Sequence, residues 1–302
     1  MAEKDRHRRV QEHSGDIALN PLNLAAASTR PIGVFDSGVG GLSVLRALQA
    51  ELPLERFVYV ADNGHAPYGD RDDTHVLKRS HVIADYLMAS HGIKALVVAC
   101  NTATAAAIHT LRAEYPELPI IGIEPALKPA AASSKTGVVG VMATRATLNS
   151  EKFGRLLKSL QGSARFVLQP CDGLADAIER SDTTKIAALC HEYTLAMGRF
   201  GRAAGDMDTL VLGCTHYPFV SGELQALVGG QTVLLEGGAP VARQTRRLLE
   251  RAGIAVPDMS GPGMPLAKND SVFYSTGNLG LLDSGVQRWL QLNTDTLALD
   301  LA

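Results

Sequence analysis

Two of the four cysteines stand where a side chain can do chemistry. Cys100 lies in Ala99-Cys100-Asn101-Thr102 and Cys214 in Gly213-Cys214-Thr215-His216, and each ends an apolar run and opens a polar turn. Burial as a small hydrophobe is the ordinary fate of cysteine. Cys190, inside a helical stretch, and Cys171, after a strand, keep that reading. Cys100 and Cys214 differ because hydrogen-bonding residues and helix-terminal N–H groups would surround them, which favours thiolate. His216, two residues from Cys214, is placed to keep that thiol poised, although a histidine there can also be a satisfied core residue.

Two further runs are candidates for binding. Asp36-Ser37-Gly38-Val39-Gly40-Gly41 reads as a strand end, a glycine-rich turn and a helix start. Glycines there permit positive φ and close backbone approach, and a helix start offers N–H groups to an anion. The run fits neither the dinucleotide fingerprint nor the P-loop. A plain capped turn is the competing reading, yet Asp36 sits where a substrate ammonium or a catalytic thiol would need a carboxylate. Pro67-Tyr68-Gly69-Asp70-Arg71 suits a loop that wraps a ligand, or a simple surface turn. Cys100, Cys214, His216 and Asp36 would also make a zinc set, but Cys-x-His is not the usual ligand spacing and no metal site is expected.

The elements that must position these residues alternate. Strand candidates are Ile32–Phe35, Phe57–Ala61, Ala95–Ala99, Ile120–Ile123, Val138–Met142, Phe166–Leu168, Thr209–Leu212, Val233–Leu235 and Val272–Tyr274. They are nearly continuous aliphatic runs, as in parallel strands buried on both faces. Helical patterns lie between them over Leu42–Leu52, Thr74–Ser90, Thr102–Tyr115, Ala146–Leu160, Lys185–Arg199 and Val241–Ala252. This is an α/β protein with mainly parallel sheets, whose ligands belong at the carboxyl ends of the strands.

The chain also repeats itself. Gly33-Val34-Phe35-Asp36-Ser37 matches Gly140-Val141-Met142-Ala143-Thr144, and Leu96-Val97-Val98-Ala99-Cys100 matches Leu210-Val211-Leu212-Gly213-Cys214. Two similar lobes would each present one thiol at the same structural position. If the lobes face each other across a cleft, both thiols address one site from opposite sides.

Composition removes other classes. A net charge of −2 over 302 residues argues against a phosphate-backbone binder, and 7 Phe, 7 Tyr and 1 Trp make no base-stacking surface. Neither nucleic acid nor a membrane is an expected partner, since no apolar run reaches the ~20 residues that span a bilayer. Four cysteines without a CxxC pair form no disulfide framework, so a cytoplasmic location is expected. Residues 1–30 read as a flexible extension, because Pro21 interrupts the apolar stretch a signal peptide requires.

Taken together, Asp36-Ser37-Gly38-Val39-Gly40-Gly41, Pro67-Tyr68-Gly69, Cys100-Asn101-Thr102-Ala103, Gly122-Ile123-Glu124-Pro125 and Gly213-Cys214-Thr215-His216-Tyr217-Pro218 resemble the cofactor-independent glutamate racemases of the aspartate/glutamate racemase superfamily. The resemblance runs in order over about residues 31–290. It implies interconversion of L- and D-glutamate, supplying D-glutamate for peptidoglycan, with no cofactor. It implies Cys100 and Cys214 as the acid/base pair, flanked by Asp36 on one side and His216 on the other. Glu179 falls at the family's second-side carboxylate, although this chain has Cys171-Asp172 where the family has Cys-Pro. Asp36, Ser37, Tyr68, Gly69, Asn101, Thr102, Thr144, Thr215 and His216 match its substrate-binding positions. The implied fold has two pseudo-symmetric lobes, 31–126 plus 238–302 and 127–237, with the active site in the cleft between them. Dimers are common in the family, so a homodimer is among the expected partners. Two acid/base groups suit the chemistry: one base would return the proton to the face it came from, and a thiol pKa of about 8.5 is readily brought to working pH. Aspartate racemisation and a non-catalytic two-lobed sensor of an acidic metabolite are the alternatives.

Overall fold

The computed structural model of the chain describes residues 28–257 and 270–301. The expected amino-terminal extension lies outside the described residues as far as residue 27.

Among the described residues, ten strands follow one another as β1 (Ile32–Asp36), β2 (Phe57–Ala61), β3 (Ala95–Val98), β4 (Ile120–Gly122), β5 (Val138–Ala143), β6 (Arg165–Pro170), β7 (Thr209–Leu212), β8 (Val233–Leu235), β9 (Ser271–Ser275) and β10 (Thr296–Ala298). The α-helices between them are α1 (Leu42–Glu51), α2 (Asp73–His91), α3 (Asn101–Glu114), α4 (Leu127–Ser133), α5 (Arg145–Asn149), α6 (Glu151–Lys158), α7 (Leu174–Glu179), α8 (Thr183–Met197), α9 (Ser221–Val228), α10 (Gly238–Ala252) and α11 (Leu279–Gly285).

The strands form two parallel sheets, β10-β9-β2-β1-β3-β4 and β6-β5-β7-β8. The order β2-β1-β3-β4 is the order β6-β5-β7-β8, so the sequence repeat is a repeat of topology. Register follows too: Gly33 lies opposite Leu96 in the first sheet and Gly140 opposite Leu210 in the second. These glycines have one reason. A Cβ on Gly33 would come within 2.9 Å of Ile93 and one on Gly140 within 2.6 Å of Met197, so each leaves room for the layer packed on its sheet. β1, β2, β3, β5 and β7 are buried throughout, which is why they read as unbroken apolar runs.

Local chemistry sets several boundaries. Asp72 caps α2 by accepting from the His75 N–H, and Gly92 ends it at φ 54°. The single helix expected over Ala146–Leu160 is two, because Ser150 takes an extended conformation and its hydroxyl accepts from the Phe153 N–H to start α6. β10 was not visible as a strand: it pairs only with β9, and two of its three residues are exposed. The short helices α4, α7, α9 and α11 likewise carry too few turns to register as periodic patterns.

The chain after residue 270 returns to the first sheet through β9, which pairs with β2. It also reaches the other sheet's loops, where Trp289 stacks on Phe219 with ring centroids 4.2 Å apart. Polar bonds cross the same seam: the Ser43 hydroxyl donates to the Thr215 carbonyl at 2.8 Å, and the Thr215 hydroxyl to Asp36 Oδ2 at 3.0 Å.

Candidate active site

The carboxyl ends of the strands from both sheets converge on one cavity of about 310 Å³. That is at the small end of the range for small-molecule sites. β1 delivers Ser37, the turn after β2 delivers Tyr68 and Gly69, and β3 delivers Cys100, Asn101 and Thr102. From the other sheet come Thr144 after β5, Glu179 at the end of α7, and Cys214, Thr215 and His216 after β7. Of the candidate catalytic and substrate-binding residues, Asp36 alone does not line the cavity; it is fully buried behind the wall.

Cys100 lies two residues beyond β3 and is the N-cap of α3. Its sulfur accepts from the Ala103 N–H at 3.4 Å and its S–H donates to Ser37 Oγ at 3.8 Å. Burial pushes this thiol up to about 12, and the nearby Asp36 carboxylate adds to the shift, against the pull of the Ala103 N–H. Asp36 accepts from the Gly38 N–H at 2.9 Å and from Thr215. Burial raises its own pKa, partly offset by the charge of His216.

The other thiol has different company. Cys214 Sγ lies 3.8 Å from His216 Nδ1, and His216 Nε2 lies 2.7 Å from Glu179 Oε2. Burial opposes the imidazolium, but the hydrogen bonds to Cys214 and Glu179 outweigh it and hold His216 well above its ordinary 6.5. Glu179 also accepts from the Val39 N–H at 2.9 Å, so this second-sheet carboxylate is held by the first sheet's glycine-rich turn.

That turn meets the expectation of close approach but not that of positive φ. None of Gly38, Gly40 and Gly41 is among the glycines with positive φ. What they supply is space: a Cβ on Gly38 would meet the Glu179 carboxylate at 2.5 Å, one on Gly40 would meet His216 Nδ1 at 2.4 Å, and one on Gly41 the Asp36 Cβ at 2.6 Å. The Gly38 and Val39 N–H groups go to the protein's own carboxylates, Asp36 and Glu179.

The remaining wall is polar. Thr102 and Thr144 hydroxyls lie 3.3 Å apart across the two sheets' loops. Asn101 is buried and its side-chain oxygen is without a hydrogen-bond partner. Cys171, read as a structural thiol, is buried but contributes to the cavity wall. Asp172 beside it pairs with Arg145 at the exposed rim. The sequence reading missed Asn63, Arg145, Arg180, Asn278 and Leu281, which also line the cavity. Asn63 and Arg145 directly follow strand ends or their caps and were open to the same rule. Asn278 and Leu281 depend on the return of β9 to β2, which no local pattern announces. Among the described residues, no helix is long and apolar enough to cross a membrane, and no three His, Cys, Asp or Glu side chains gather as a metal site.

Comparison with known proteins gives this geometry a lineage. The family described as Asp/Glu/Hydantoin racemase matches residues 39–245. A glutamate racemase of Ectopseudomonas mendocina is 50% identical over 224 residues, 74% of this chain and 83% of the relative. One of Pseudomonas syringae pv. tomato is 44% identical over 248 residues, 82% of this chain and 85% of the relative. Among solved structures, a glutamate racemase isoform of Bacillus anthracis superposes with a TM-score of 0.75 at 30% identity, covering 91% of this chain and 98% of the other. The Escherichia coli glutamate racemase, solved with L-glutamate and the activator UDP-MurNAc-Ala, superposes with a TM-score of 0.73 at 28% identity, covering 90% and 98%. The two-sheet α/β fold is therefore one shared with solved glutamate racemases, and the chain belongs to the Asp/Glu/hydantoin racemase family.

Proposed function

We propose that the protein is a glutamate racemase that interconverts L- and D-glutamate without a cofactor, with Cys100 and Cys214 as its two acid/base groups. The observation that carries the reading is that both sulfurs line one cavity, each from the end of the equivalent strand of its own sheet. One thiolate takes the Cα proton and becomes a thiol. The opposite thiol gives its proton to the other face of Cα and becomes a thiolate. The product enantiomer then leaves a protein whose two sulfurs have exchanged protonation states, and the reverse reaction restores them.

The Cα–H of an amino acid is a weak acid, so the site must stabilise charge as it develops on the carboxylate. The hydroxyls of Ser37, Thr102, Thr144 and Thr215 and the wall at Tyr68 and Gly69 suit that task. The unpaired Asn101 oxygen offers an acceptor to the substrate ammonium. Asp36 and His216 act on the sulfurs from opposite sides, and Glu179 orients His216 through Nε2. The relatives' activity supports glutamate as the substrate, and its D-enantiomer would serve peptidoglycan synthesis in the cytoplasm.

Incubation with L-glutamate in deuterium oxide, followed by chiral chromatography and mass spectrometry, tests this directly. D-Glutamate should accumulate to equality with the L-form and carry deuterium at Cα. Binding of glutamate without inversion would support the sensor reading, and faster inversion of aspartate would reassign the substrate.

A further inference from the structure

The cavity wall at Tyr68 is anchored by a carboxylate that the two-thiol mechanism does not use. Asp62 follows β2 and is fully buried. Four donors converge on it: the Tyr68 hydroxyl at 2.5 Å, Arg79 Nε at 3.0 Å, Arg79 Nη2 at 2.9 Å and the Thr276 hydroxyl at 2.8 Å. The third arm of Arg79 donates to the Leu301 carbonyl at 3.0 Å. These partners come from α2, from the turn after β9, and from the last described residue of the chain. Only Tyr68 among them lines the cavity.

We propose that Asp62 is a positioning residue for the substrate-binding wall, and that the carboxy-terminal tail completes it by holding Arg79. The inference rests on the reading of Tyr68 and Gly69 as substrate-binding residues. Buried and saturated with donors, Asp62 has one arrangement available, since any retreat would strand Arg79 or Tyr68 without a partner. Tyr68 is thereby fixed through its hydroxyl, and its loop is presented to the cavity. The Thr276 hydroxyl also accepts from the Gly64 N–H at 3.2 Å, so the same contact locks the start of that loop.

A wall that grips the substrate away from Cα binds ground state and transition state alike. Loosening it therefore raises KM and leaves kcat nearly unchanged. A merely structural role predicts the reverse, a lower Vmax from fewer folded molecules at an unaltered KM. Asp62→Asn is expected to damage folding, because it breaks a buried ion pair. The test therefore uses Thr276→Val and a chain shortened by Leu301 and Ala302. Racemisation kinetics, calorimetric Kd for glutamate and the thermal midpoint are measured on each. The proposal expects KM and Kd to rise about five- to tenfold with kcat within about twofold. Unchanged KM and Kd in both variants would overturn it, whatever happens to the thermal midpoint. A parent protein that binds glutamate but never inverts it would defeat the racemase reading alone, and the Kd series would still decide the role of Asp62.

Discussion

Cys100 and Cys214 end equivalent strands, β3 and β7, yet opposite charges attend the two sulfurs. On the first-sheet side stands Asp36, a buried carboxylate, and burial with that charge keeps the Cys100 thiol protonated at neutral pH. On the second-sheet side stands His216, held as imidazolium by Glu179 and Cys214, with its Nδ1 3.8 Å from the sulfur. The repeated strand order supplies the symmetry that the proposed inversion needs, and the loops on it break that symmetry. On the two-base proposal, Cys100 therefore waits for substrate as a thiol. On that proposal, the enantiomer that takes its proton from Cys100 meets a ready site, and the other would bind after the sulfurs have exchanged roles.

The comparison breaks most visibly at the sulfurs themselves. Cys100→Ser and Cys214→Ser should each lower racemisation by at least about a thousandfold, since serine at neutral pH is neither base nor acid of the right strength. Each variant should retain its thermal midpoint, and should exchange the Cα proton of one enantiomer only, a different one in each. Racemisation at the parent rate by either variant would end the two-base proposal. His216→Asn comes next, with a loss in kcat/KM of about a hundredfold. Enantiomers have equal free energies, so that loss must be the same in both directions. The asymmetry should appear instead in kcat for the two enantiomers, measured by circular dichroism at saturating substrate.

The sequence shows this site so well because a parallel strand buried on both faces is an unbroken apolar run, and the first polar residues after it are the site. Asp36, Cys100, Thr144 and Cys214 are all found that way. Asn278 and Leu281 are not, because their place depends on β9 pairing with β2 across most of the chain. β10 escapes because an edge strand with exposed residues has no apolar signature. Asp62 looks like any loop aspartate, since its partners Arg79, Thr276 and Leu301 are distant in sequence. The glycine run is legible as a place of close approach but not for positive φ: its φ angles are unremarkable, and the side chains that crowd Gly38 and Gly40, Glu179 and His216, belong to the other sheet.

Gly40→Ala therefore sharpens the contrast between the two sides. Its methyl group would collide directly with His216 Nδ1 at 2.4 Å and with Thr215 Oγ1 at 2.6 Å, and it would reach the Cys100 side only through the Thr215–Asp36 hydrogen bond. Overpacking of this kind is expected to destabilise the fold by about 1–3 kcal/mol. Urea unfolding gives that figure, and deuterium exchange tells whether the damage is one-sided. Exchange of the enantiomer deprotonated by Cys214 should fall further than exchange of its mirror image. Equal losses would mean that the imidazolium does not act on Cys214 alone.

The smallest expected effect is a pH dependence of stability carried by Cys100. The thiol is raised from about 9 in the unfolded chain to about 12 in the folded one. Below about pH 9 it is protonated in both states, and its contribution is complete. As pH rises above that, the unfolded chain releases the proton while the folded one retains it, so folding loses ground until about pH 12. At pH 10 the loss amounts to about 1.4 kcal/mol. Burial also raises Cys171 and Cys190, but those thiols are present in Cys100→Ser as well and cancel in the difference. Urea midpoints of the parent and of Cys100→Ser at pH 8 and pH 10 isolate the remainder. The parent's stability relative to the variant should shrink by that amount between the two pH values. A difference that stays constant would mean that Cys100 is not held protonated, and the opposition between the two sides of the cleft would have to be redrawn.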